Sequence, residues 1–329
     1  MIFIAQPELE RMMPMRDAIA IMEKGLVEYS PSDWDIPRRS ALPFTTVPRS
    51  TLLMPVYSQR RQRIYTKTVL VHTGATHHGS RTSAMCTVWD APSGKPLLAC
   101  DGTYLTALRT AAAAGVAARF MARRSSRVAL LIGSGYQGRY QLDAIASIFP
   151  LEKAIISNRS PEQAEELRRW GSERWKTDVS VQALSREIVH EADIVLAATS
   201  ALKPVFDGHD LKPGTHVSSI GSYRPDMHEV DEFTLRSGRI VVDSMGRTPA
   251  ESGDLISSVA QGAKILGDLT WLVRNPRLAR QSDSDITVYK SAGFGLLDAL
   301  LLEAVFQLSG QRDRLAEDDG KGLTGLLPS

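Results

Sequence analysis

Three glycines in Gly133-Ser134-Gly135-Tyr136-Gln137-Gly138 stand at the spacing that lets a backbone cradle a pyrophosphate. The run follows an apolar strand candidate, Val128 to Ile132, and opens a helix-compatible segment at Tyr136. A second strand candidate, Ala154 to Ser157, comes about 20 residues later, as a dinucleotide-binding unit requires. In such a unit Gly133 permits the tight turn, Gly135 lets the backbone approach the phosphates, and Gly138 lets the helix lie close to its strand. The helix start supplies unpaired N–H groups and partial positive charge. At the end of the second strand an Asp or Glu would bind the 2′-hydroxyl of NAD, but Asn158-Arg159-Ser160 stands there. An amide, a guanidinium and a hydroxyl can all donate to a 2′-phosphate, so NADP(H) is favoured and NAD(H) stays possible. The alternative for Arg159 is a solvated surface arginine.

Several elements must hold that loop. Residues 14 to 29 carry Ala18, Ile21, Met22 and Leu26 at helical spacing. After Pro37, short β-rich runs follow at Leu52 to Tyr57, Tyr65 to His72, Ala84 to Trp89 and Leu97 to Cys100, and they predict an antiparallel sheet. Tyr104 to Ala122 is alanine-rich and predicts a closely packed connecting helix. From Val128 onward, strands alternate with helices: Val128 to Ile132, Ala154 to Ser157, Ile194 to Ala198, His216 to Ile220, Ile240 to Asp243 and Ile286 to Lys290. That rhythm predicts an α/β fold with a doubly wound parallel sheet. Gly293 to Gln307 reads as a long helix, and the tail from Gly310 as loosely ordered.

Composition narrows the function further. Thirty-nine basic and 37 acidic residues leave a net charge of +2 without a basic stripe, so nucleic acid is not an expected partner. No apolar run reaches the ~18 residues of a membrane span. The first residues lack the features of a signal peptide, so the expected location is cytoplasmic. In that setting Asn158-Arg159-Ser160 is no glycosylation acceptor, and Cys86 and Cys100 read as buried small hydrophobes.

Further segments carry a resemblance. They are Ile36-Pro37-Arg38-Arg39-Ser40, Met54-Pro55-Val56-Tyr57, Thr66-Lys67, the run from Asp101 to Ala112, the glycine loop, Gly221-Ser222-Tyr223-Arg224-Pro225-Asp226, Glu251-Ser252-Gly253-Asp254-Leu255, and Ile286 to Ser291. In this order they resemble the ornithine cyclodeaminase and mu-crystallin family. The resemblance implies a homodimer in which residues 1–113 and 293–329 form an α+β substrate-binding and dimerisation domain. Residues 114–292 are then an inserted Rossmann domain. It implies that Arg39, Lys67 and Arg109 converge on the carboxylate of a small α-imino or α-amino acid, with Lys67, Arg109 and Tyr223 around the reacting centre. Thr82, Arg109, Thr110 and Thr199 join the loop residues on the dinucleotide. The expected activity is a ketimine or pyrroline-2-carboxylate reductase-like oxidoreductase acting on a C–N bond. The alternatives are a cyclodeaminase-type ammonia-lyase using bound NAD and a non-catalytic crystallin-like binder.

One departure bears on that choice. Cyclodeaminases of the family carry an Asp where this chain has Tyr223, and a phenol with an ordinary pKa near ~10 is a poor base at neutral pH. Tyr223 can donate a proton or simply fill the pocket wall. Glu251-Ser252-Gly253-Asp254 could cap the following helix as readily as touch substrate, and Asp298 reads as structural support. His77-His78 reads as a solvated loop, no metal site is expected, and His216 and His228 receive no role. Ser134 and Ser222 lack a nucleophile elbow.

Overall fold

A computed structural model describes residues 1–44, 49–72 and 82–321. Alternation of side chains decides how its first sheet is buried. Its strands lie in the order Ile2–Ile4, Pro96–Asp101, Thr82–Asp90, Arg63–His72, Arg49–Ser58 and Trp34–Asp35, and Ser40–Pro43 also pairs with Arg49–Ser58. Pairing is antiparallel except that Ile2–Ile4 runs parallel to Pro96–Asp101. The strand Ile2–Ile4 is not among those that the sequence predicted. One face presents Met54, Val56, Tyr65, Val69, Cys86, Val88, Leu98 and Cys100, all buried. The helices Met15–Glu28, Gly102–Met121 and Gly295–Lys321 share one core with it. Each fully buried aliphatic side chain there contributes about 1.5–3 kcal/mol. The outer face carries Phe3, Leu42, Leu53 and Met85, all exposed. Cys86 and Cys100 are register partners and both are free and buried.

The alanine-rich stretch forms the helix Gly102–Met121, and the Asp101 carboxylate caps it by accepting the Tyr104 N–H. Ala111 to Ala114 are all buried, and such small side chains let neighbouring helices approach closely.

The second sheet is parallel throughout, in the order Asp178–Val181, Lys153–Ser157, Val128–Ile132, Ile194–Ala197, His216–Ser219, Thr287–Lys290, Arg239–Val242 and Ile265–Asp268. Ala129 and Leu131 belong to one core and Leu130 and Ile132 to another, so the sheet is covered on both faces. The chain winds outward in one direction from Val128–Ile132 and in the other from Ile194–Ala197. That reversal opens a crevice beyond the carboxyl ends of these two strands, where ligands bind in doubly wound sheets. Two edge strands, Asp178–Val181 and Ile265–Asp268, escaped the sequence reading because they are short and partly polar.

The C-terminal tail corrects an expectation. Helix continues through Gly310 to Lys321 instead of loosening at Gly310, because Gln, Arg, Leu, Ala and Glu in residues 311–317 all favour helix. Among the described residues no helix is long and apolar enough to cross a membrane, and no group of His, Cys, Asp and Glu is arranged to hold a metal. His77 and His78 lie outside the described residues.

Candidate active site at the carboxyl edge of the parallel sheet

The glycine loop joins Val128–Ile132 to the helix Tyr136–Ile148. Gly133 has φ +98° and donates its N–H to the Ser157 carbonyl at 2.9 Å, which ties the loop to the neighbouring strand. A Cβ on Gly138 would stand 2.0 Å from the Gly133 carbonyl oxygen, so only glycine lets the helix start this close. A Cβ on Gly135 would meet nothing within 4 Å, which leaves open space in front of the helix start. The Ser134 hydroxyl and the Gln137 amide oxygen are buried without a hydrogen-bond partner. The unpaired Ser134 hydroxyl, a donor beside an open helix start, fits a polyanionic phosphate ligand, whereas the Gln137 oxygen can only accept.

Asn158, Arg159 and Ser160 follow the next strand as expected, but their donors are not equally free. Ser160 caps the helix Pro161–Arg174 and gives its hydroxyl to Glu162 at 2.9 Å. Asn158 Nδ2 donates to the Ser160 carbonyl and the Gln163 side chain. Arg159 is exposed and keeps its guanidinium for solvent or a ligand.

A line of close approaches runs from this loop to the predicted cations. A Cβ on Gly133 would lie 2.9 Å from Thr199 Cγ2, and one on Gly221 would lie 2.0 Å from the Thr199 carbonyl oxygen. Thr199 is half-buried just past its strand and donates its N–H to Glu229. Two residues after Gly221, the Tyr223 carbonyl accepts from Arg39 Nη2 at 3.2 Å. Arg39 also donates to the Ala292 carbonyl at 3.2 Å and pairs with Glu251 at 2.9 Å. Gly293, at φ +99°, removes any side chain between the guanidiniums: its Cβ position is 3.7 Å from Arg109 Nη2 and 4.0 Å from Arg39 Nη1. Asp243 holds this turn by accepting from Gly293 N and Ser291 Oγ, and Thr248 also donates to it.

Arg109 lies on the helix Gly102–Met121 and Lys67 in the strand Arg63–His72, and both are almost wholly buried. Asp298, from the helix Gly295–Lys321, binds them together. Lys67 Nζ is 2.8 and 2.9 Å from its two oxygens, and Arg109 Nε is 3.0 Å from Oδ1. Burial and the neighbouring Arg109 push the Lys67 pKa below that of a free lysine, while Asp298 pulls the other way. Arg109 Nη1 is buried with no partner. Such a group is costly to leave unmade, so an anion is the natural complement.

The remaining candidates sit as follows. Thr110 is buried and donates to the Thr106 carbonyl within its own helix. Thr82 begins a strand in register with Val71. The half-buried Tyr223 ring lies under the Arg224 guanidinium at 5.9 Å. The capping reading for Glu251 and Asp254 is corrected. The helix Gly253–Ala260 has no side-chain cap; Glu251 pairs with Arg39, and Asp254 accepts from Glu229 N and pairs with Lys290. Long-range ion pairs outcompete the local cap because both carboxylates face buried or half-buried cations. Sequence reasoning missed Asp298 as the common partner of two site cations, and Arg247, which donates to the Ile36 and Pro37 carbonyls beside Arg39. Only the chemical demand of a buried lysine for a counter-ion could have signalled Asp298.

Known proteins resemble this arrangement along nearly the whole chain. Delta(1)-pyrroline-2-carboxylate reductase of Bacillus cereus is 29% identical over 318 residues, covering 95% of this chain and 98% of that protein. Ketimine reductase mu-crystallin of Macropus fuliginosus is 30% identical over 310 residues, covering 92% and 96%. The solved structure of Thermococcus litoralis Delta(1)-pyrroline-2-carboxylate reductase in complex with NADH and L-proline is 29% identical and matches with a TM-score of 0.89, covering 95% of this chain and 98% of that one. The model of the ornithine cyclodeaminase/mu-crystallin family matches residues 2–311, and the chain, with its glycine loop and buried cations in place, belongs to that family.

Proposed function

We propose that this protein is an NADP(H)-dependent reductase of small α-imino acids, of the Delta(1)-pyrroline-2-carboxylate and ketimine class. The observation that carries the reading is Arg109, buried with an unpaired Nη1 and converging with Arg39 over Gly293 at the edge of the dinucleotide crevice. Arg109 and Lys67 share one aspartate, so this cluster keeps a net positive charge that matches one substrate carboxylate. Holding that anion fixes C2 toward the crevice, and the orientation itself lowers the barrier. When bound, the dinucleotide supplies the hydride that C2 receives. Reduction then needs one proton on nitrogen, which the hydroxyl of Tyr223 or solvent at the crevice provides. A lyase would need a base at that position, and a phenol is a weak one.

The preference for NADPH rests on exposed Arg159, a fork suited to a 2′-phosphate. The division into a substrate domain of residues 1–113 and 293–329 and a Rossmann domain of 114–292 is supported by the separation of the two sheets, with the boundary at residue 113 falling inside the helix Gly102–Met121. Homodimerisation through the first sheet is supported by its outer face, where Phe3, Leu42, Leu53 and Met85 are 61%, 60%, 44% and 52% exposed. The deciding experiment follows NADPH oxidation with 1-pyrroline-2-carboxylate and 1-piperideine-2-carboxylate, repeated with NADH and with Arg39→Ala. Consumption by the unaltered protein and loss in the variant are expected. No consumption, with ammonia released from ornithine, would replace this reading with the lyase.

A further inference from the structure

Removing a carboxylate from an anion-binding site should, by Coulomb's law alone, improve anion binding. The arrangement around Lys67 points the other way. Its ammonium is 2% exposed and touches one anion, with both Asp298 oxygens within 2.9 Å. The other groups around it offer no negative charge. From the helix Gly102–Met121 comes the Arg109 cation, bonded to the same Asp298. From the strand Thr82–Asp90 comes Cys86, its thiol pushed up by burial and therefore neutral, backed by its register partner Cys100. From the strand Arg49–Ser58 comes Met54, which has no charge. On its own strand Tyr65 is committed to Glu303 at 2.6 Å.

We propose that Asp298 is a positioning residue that holds Lys67 beside Arg109 and keeps the buried ammonium charged, so that this acid is required for an anion to bind at neutral pH and above, though not at about pH 6. The inference rests on the proposed reading of the site as an amino- or imino-acid pocket. Without Asp298, a desolvated lysine beside an arginine releases its proton, and the site loses the charge that it was meant to gain. The sign follows directly. Lys67 binds the anion while protonated, so affinity is kept at low pH and lost as pH rises through its pKa. Asp298→Asn moves that loss to lower pH.

The test measures L-proline binding by calorimetry to the full chain loaded with NADPH, across a pH series, for the unaltered protein and Asp298→Asn. At about pH 6 the variant should bind within about threefold of the unaltered protein, or more tightly; above its displaced limb, affinity should fall about tenfold per pH unit. Adding Lys67→Arg to Asp298→Asn should flatten the curve, because a guanidinium does not deprotonate in proteins. Lys67→Arg alone, which keeps the ion pair, should erase the alkaline loss of the unaltered protein and decides the matter if Asp298→Asn does not fold. Curves that stay parallel at every pH, or an alkaline limb that survives Lys67→Arg, would overturn the role given to Asp298. An unaltered protein that binds neither L-proline nor any imino acid would instead overturn the reading of the site itself.

Discussion

Among the described residues two lysines are almost wholly buried, and their surroundings differ. Lys290 lies 2.6 Å from Asp254 and donates to Ser219 Oγ at 2.6 Å, and Ser219 in turn donates to Glu229 at 2.6 Å. Glu229 also accepts the backbone N–H groups of Thr199 and Gly221, which stitches together the ends of two parallel strands. Lys67 is as deeply placed, but its cluster ends in Arg109 Nη1, which has no partner. A buried donor left over, as Arg109 Nη1 is, can take up an anion from outside. The atom that the Lys290 cluster leaves without a hydrogen bond, Asp254 Oδ2, is a carboxylate oxygen 2.6 Å from that ammonium, so the charge serves the fold.

Substitutions can break that contrast. Arg109→Ala should lower kcat/KM on the order of a thousandfold, or about 4 kcal/mol, because a charge-assisted bond to the substrate carboxylate is lost. Its melting temperature should change little, since Lys67 and Asp298 remain as a neutral pair. Steady-state kinetics with a parallel thermal melt would check both halves. Lys290→Met should do the reverse, costing about 3 kcal/mol in urea unfolding because Asp254 is left buried without its cation. If its folded fraction is also inactive with unchanged stability, the division between the clusters fails.

Smaller effects sharpen the other end of the crevice. Arg159→Ala should reduce the preference for NADPH over NADH about tenfold through KM, with kcat unchanged, as loss of one charge-assisted contact predicts. Equal changes for both dinucleotides would remove Arg159 from the 2′-phosphate. The smallest effect belongs to Tyr223→Phe, which keeps the carbonyl that anchors Arg39. A drop within about threefold would assign the proton to solvent, and one beyond a hundredfold would assign it to the hydroxyl.

Legibility in the sequence tracked distance along the chain. The glycine loop, its strand and its helix are consecutive, so spacing alone located them. Arg39, Lys67 and Arg109 were found through resemblance to a family, since isolated cations carry no local signature. Asp298 stayed hidden because it meets Lys67 across 231 positions. Ser160 and Asn158 do follow the second strand, yet how far they remain free for a ligand depends on a helix start that consumes their polar groups. The short edge strands Asp178–Val181 and Ile265–Asp268 lacked the apolar runs that marked their central neighbours.

By itself the sequence determined the central strands and their helices, the phosphate-binding turn and the alanine-rich helix, because backbone sterics and side-chain periodicity act between near neighbours. Tertiary structure alone decided which cations meet, which acid compensates them and which nitrogen is left without a partner. Those outcomes depend on through-space electrostatics and desolvation, which become fixed only when strand, helix and loop from distant parts of the chain are packed together.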